Sequence, residues 1–172
     1  MNGMTGSRRL ARPVRIALAQ RLGADIDGAW WPYTGDMAHE LPQLIGALHA
    51  PLGEIVDMCI NWSATQGPRE LYEAVSGART IREGHPGRQR LMVVEGRRGR
   101  ANLLVVPHMT SQALGVMVMR CAAARPVSGS ERGTQLFEIA DCVMRAAQTE
   151  SASWTRRMRD TAATAQTATQ QV

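Results

Sequence analysis

Apolar Val14, Ile16 and Leu18 alternate with Arg15 and Ala17, and this period of two predicts a strand over residues 14–20. From residue 36 the period lengthens: Met37, Leu41, Leu44, Ile45 and Leu48 share one helical face, which predicts a helix over 36–49. Asp36 suits the N-cap and Glu40 the positive first turn, while Pro42 falls early enough to bend this helix or mark a later start rather than break it. After a turn at Pro51–Gly53, Ile55, Asp57 and Cys59 alternate against Val56, Met58 and Ile60, a strand over 54–62. Residues 78–83 read as a weaker strand. Residues 89–95 and 101–108 read as strong ones, joined by GRRGR, a short glycine-flanked hairpin connection.

Two amphipathic helices follow. One, over 110–124, begins at Thr110 or Ser111 and gathers Leu114, Met117, Val118 and Cys121. The other, over 130–148, gathers Leu136, Ile139, Ala140, Val143 and Met144. The order β-α-β-β-β-β-α plus a C-terminal helix predicts an α+β fold. Its expected form is a mostly antiparallel sheet of about five strands with helices packed on one face. The expected organisation is a flexible N-terminus over 1–12, an α+β core domain over 13–125 and an added amphipathic helix over 126–150. A low-complexity Ala/Thr/Gln tail over 151–172 completes it, read as disordered or as a frayed polar helix.

Composition changes how this pattern is weighed. All 20 basic residues are arginine, and arginine codons are GC-rich, so arginine clusters here carry less meaning than in a balanced chain. The net charge of +5 is strongly segregated. Residues 1–24 carry five arginines and no acid, and residues 25–78 carry eight acids against Arg69 alone. Residues 79–100 carry seven arginines against Glu83 and Glu95. Such asymmetry steers an anionic partner, or pairs one face of the protein with the opposite face of another copy. Three cysteines without paired spacing, Cys59, Cys121 and Cys142, argue against a disulfide framework and suit a reducing cytoplasm. GSRRLAR resembles a twin-arginine export signal, but Arg15 and Arg21 interrupt the apolar run such a signal needs, so export is not expected. No run approaches transmembrane length, and no membrane association is expected.

DGAWWP followed by DMAHELPQLIGAL and later by RANLLVVPHMTSQAL resembles an actinobacterial family of small proteins of unknown function, over roughly residues 12–124. The third strand, ARTIREGH, is less aromatic than that pattern. The resemblance implies a compact α+β domain from a GC-rich organism, consistent with the missing lysines, and brings no activity with it.

Candidate chemistry is sparse. Adjacent side chains of an extended segment point to opposite faces, so one of Trp30 and Trp31 is expected to be buried and the other to face a groove or partner subunit. The simpler reading makes both a corner anchor, with their indole N–H groups bonded to carbonyls. Asp36, His39 and Glu40 share a helix face but lack a second ligand cluster, and helix N-termini collect acids for dipole reasons alone. His85 and His108 have no visible orienting partner, and no nucleophile elbow, P-loop or dinucleotide fingerprint is present. Neither an enzyme nor a cofactor is expected. Arg97, Arg98 and Arg100 crowd one hairpin tip, with Arg88 and Arg90 just upstream, a basic edge able to track phosphates. One phenylalanine and two tyrosines are too few for a base-stacking surface. The sequence therefore favours a cytoplasmic, self-associating binding module, a homo-oligomer built through the added helix or an open sheet edge. The alternatives are nucleic-acid binding by the arginine hairpin, and a small-molecule pocket beside Trp30 and Trp31.

Overall fold

The computed structural model describes residues 12–61 and 89–169. Five strands, β1 (Ile16–Leu18), β2 (Gly28–Trp30), β3 (Ile55–Ile60), β4 (Leu91–Gly96) and β5 (Gly99–Val105), form one sheet in the order β1-β2-β5-β4-β3. Helix α1 (Met37–Leu52) lies between β2 and β3, and α2 (Gln112–Ala122), α3 (Gly129–Arg132) and α4 (Gln135–Thr169) follow β5. The α+β class and the five-stranded, mostly antiparallel sheet are as the pattern predicts. The sheet is mixed because β2 runs parallel to its neighbour β5. Strand β2 is an addition to the sequence reading, and the strand expected over 78–83 lies outside the described residues.

Helices cover both faces of the sheet, which corrects the expectation of a single covered face. Side chains of β4 and β5 alternate between two cores, so the apolar run LLVV has no solvent side to spare. On one face Met92, Val94, Ala101, Leu103 and Val105 pack with Trp30 against Met37, Leu44, Leu48 and Leu52 of α1. On the other, Leu91, Leu104 and Val106 pack with Trp31 against Met117, Val118 and Ala122 of α2, and against Ala140, Met144 and Ala147 of α4. The α1 stripe is narrower than its spacing suggests, since Ile45 stays exposed, and it extends one turn further to Leu52. Pro42 sits inside this continuous helix, whose N-cap is Asp36, accepting the His39 N–H. In β3 a bulge between Ile55 and Asp57 resets the alternation. Ile55, Met58 and Ile60 therefore share the α1 core, whereas the strict period of two would have put Ile55 with Asp57 and Cys59.

The helix expected over 130–148 is two helices. Ser128 and Glu131 form a reciprocal capping box that starts α3, and Arg120 of α2 forks onto the Glu131 carboxylate. Those contacts hold the Glu131 carboxyl down at about 2. After Gly133 and Thr134 the chain enters α4, which runs for 35 residues. The tail, read as disordered or as a frayed polar helix, is helical through residue 169, because α4 is already nucleated on the domain and continues one hydrogen bond per residue into the Ala-rich stretch.

Candidate functional site

The DGAWWP corner is organised from Asp27 outward. Its carboxylate is 1% exposed; Oδ1 accepts the N–H groups of Gly23 (2.7 Å) and Ala24 (2.9 Å), and Oδ2 accepts that of Asn102 (2.9 Å). The Asp27 N–H donates back to the Asn102 carbonyl and its own carbonyl accepts from Ala19, so one residue ties the β1–β2 loop to β5. Beyond it Trp30 and Trp31 diverge to opposite faces of the sheet, as alternation requires. Both faces are covered, so Trp30 is 1% and Trp31 2% exposed. Of the two readings the sequence offers, the corner anchor is the one the burial supports: each indole anchors one of the two cores, and neither faces a groove. The Trp31 Nε1–H has no hydrogen-bond partner among the described residues, contrary to the expectation that both indoles would find carbonyls.

Arg15 completes the corner. Its Nε donates to the Trp31 carbonyl (3.0 Å) and its Nη2 to that of Pro32 (2.6 Å). Its guanidinium carbon lies 3.7 Å from the Trp31 ring centroid and 4.0 Å from that of Tyr33. Arg12 stands 5.5 Å from the Tyr33 centroid, and the Tyr33 hydroxyl donates to the Pro13 carbonyl. Buried Glu40 accepts the Thr34 N–H and attracts Arg15, whose own pKa is lowered chiefly by burial. Asp36 and Glu40 are thereby accounted for as a cap and as a turn-closing carboxylate. In the sequence Arg15 was only the polar partner in an alternating strand. The signal that could have singled it out is an arginine in a strand beside a motif rich in aromatic faces.

Among the described residues, the exposed arginines of the hairpin tip each turn to a different partner or face. Arg97 donates to Glu54, and its backbone N–H to the Glu54 carbonyl. Arg98 turns back over α1, giving Nη2 bonds to the carbonyls of His49 (3.0 Å) and Ala50 (2.9 Å). It caps the last turn, where the helix dipole is negative. Gly96 permits this approach, since a Cβ there would collide with the Leu52 carbonyl. Arg100 is exposed on β5 opposite Glu95. Half-buried Arg90 precedes the other end of β4, roughly 20 Å away at strand rise. Arg88 lies outside the described residues. Arg98→Ala is expected to cost about 1 kcal/mol by uncapping α1, lowering the calorimetric midpoint by about 2–4 °C. A midpoint unchanged within 1 °C, on the order of measurement error, would show that the capping bonds contribute nothing.

Cys59, Cys121 and Cys142 are free thiols, and burial pushes the first two upward in pKa. Among the described residues no group of His, Cys, Asp or Glu is placed to hold a metal ion. No described helix is long and apolar enough to cross a membrane. The feature the sequence understated is α4. Phe137, Ala140, Met144, Ala147, Ser151 and Trp154 follow an alternating three-four spacing and are buried or half-buried against the domain. Ser151, 5% exposed, donates its hydroxyl to the Asp25 carbonyl at 2.7 Å, fixing the helix against the β1–β2 loop.

A family model described as Family of unknown function (DUF5994) matches residues 15–122. The chain belongs to that family. The DUF5994 match begins at Arg15 and ends at the last residue of α2, so it contains the DGAWWP corner and both strands of the arginine hairpin. It bears out the resemblance to small proteins of unknown function. No curated protein and no solved structure matches the chain.

Proposed function

We propose that this DUF5994 domain is a non-enzymatic cytoplasmic assembly module that pairs with a second copy of itself through α4. One observation carries the reading. The spacing that buries Ala140, Met144, Ala147 and Ser151 continues without a break through Trp154, Met158 and Thr161, while every residue from 156 to 166 is exposed. Met158 is 54% exposed on that continued seam. A heptad-like stripe that outruns its own domain suits a facing helix of the same kind. Two-fold pairing is the commonest arrangement for like chains. Charge supports a second copy as the occupant. Arg156 and Arg159 are exposed on the projecting part of α4, while residues 22–61 contain six acids and no arginine, with Asp25, Asp36 and Asp57 at the surface. Unpaired thiols suit the reducing compartment.

Sedimentation velocity across micromolar to submillimolar concentration tests this directly. A concentration-dependent dimer is expected, and Met158→Glu should weaken it about ten-fold or more without lowering helix content, since the side chain touches no core. A native protein that stays monomeric throughout would remove the proposal. Oligonucleotide binding that steepens at low salt while the protein stays monomeric would replace it with nucleic-acid recognition.

A further inference from the structure

One guanidinium at the DGAWWP corner lies over two aromatic rings. The Arg15 carbon is at stacking distance from both Trp31 and Tyr33. The carbonyls of Trp31 and Pro32 accept from Nε and Nη2, and buried Glu40 supplies an attracting negative charge. Two π faces, two carbonyl acceptors and a carboxylate are the complement of a guanidinium specifically. An ammonium has neither the flat faces nor the fork.

The walls of this site are held from outside it. Trp31 is wedged against α2 at Gly115, where the ring carbons approach the helix backbone. The β2 backbone is fixed by the Val106 N–H bond to the Trp30 carbonyl and by its parallel pairing with β5. The occupant comes from just before β1, a three-residue strand at the end of the sheet order that is paired to β2, and its carbonyl accepts the Trp31 N–H. Short edge elements are drawn from the low-stability end of a fold.

We propose that the space against Trp31 and Tyr33 is a guanidinium-binding site, filled in cis by Arg15. With that side chain removed, the site takes a free guanidinium ion or the arginine side chain of another chain. The proposal does not rest on self-association through α4.

The test is Arg15→Ala, titrated with methylguanidinium, N-acetyl-arginine amide and methylammonium at matched ionic strength. Thermal midpoint and tryptophan emission are the readouts. Methylguanidinium is expected to restore part of the lost midpoint and shift the emission saturably, with half-effect at roughly 1–10 mM, while methylammonium does neither. A matching response to the arginine amide extends the site to arginine side chains, and a response to methylguanidinium alone confines it to the free ion. Adding Tyr33→Ala to Arg15→Ala should weaken the response about ten-fold by removing one wall. If Arg15→Ala is unfolded by itself, recovery of the fold with methylguanidinium is the readout. Equal effects of methylguanidinium and methylammonium, or no saturable response in either form of the experiment, overturn the proposal.

Discussion

Asp27→Ala is expected to cost about 3–5 kcal/mol and to lower the thermal midpoint by roughly 10–15 °C. The carboxylate accepts three backbone N–H groups while 1% exposed. Charge-assisted bonds of this kind are worth about 1.5–3 kcal/mol each, and truncation leaves the half-buried Asn102 N–H without its acceptor. The losses share one loop and will not add fully. Asp27→Asn separates shape from charge. Its amide oxygen can still receive Gly23 and Ala24, but its NH2 group would then face the Asn102 N–H donor, so about half the loss is expected. If both variants melt within about 2 °C of the native protein, the carboxylate is not what holds the loop to β5.

The second large effect is expected at Gly115. A Cβ built there would lie 2.5 Å from Cη2 and Cζ3 of Trp31 and 2.8 Å from Cε3, all ring atoms with no freedom to bend. The indole cannot slide away, because the Arg15 guanidinium stacks on its ring at 3.7 Å and the surrounding core is filled. Gly115→Ala therefore has to lift α2 from the sheet, and a cost at the upper end of about 1–3 kcal/mol is expected, with red-shifted tryptophan emission. Alanine is the better helix former, so a substitution judged by propensity alone would be stabilising. An unchanged midpoint with unshifted emission would show that the packing relaxes freely.

These two residues illustrate what the sequence makes legible. The helix at α1 and the strands β4 and β5 announce themselves, because each buries a long regular stripe and has strong local propensity. Strand β2 does not: three residues flanked by Asp27 and Trp31 carry too few positions to display a period. The bulge at Val56 inverts the apparent face of Ile55, and nothing local to IVDMCI marks where the extra residue falls. Arg97 and Arg98 look like a solvated basic tip, since their partners, Glu54 and the last carbonyls of α1, lie more than forty residues earlier. The candidate sites fared likewise. The tryptophan motif was visible, but the covering of its second face depends on α2 and α4, and Arg15 gains its role only when β1 is laid beside β2.

The packing of α4 has a practical corollary for anyone dividing this chain. The DUF5994 match stops at residue 122, yet Met117, Val118 and Ala122 share their apolar layer with Ala140, Met144 and Ala147, and the Ser151 hydroxyl reaches back to the Asp25 carbonyl. The stretch recognisable by its sequence and the stretch that packs as one unit are therefore of different lengths. The second extends at least to residue 151, and an expression boundary drawn at the first would leave a greasy wall facing water.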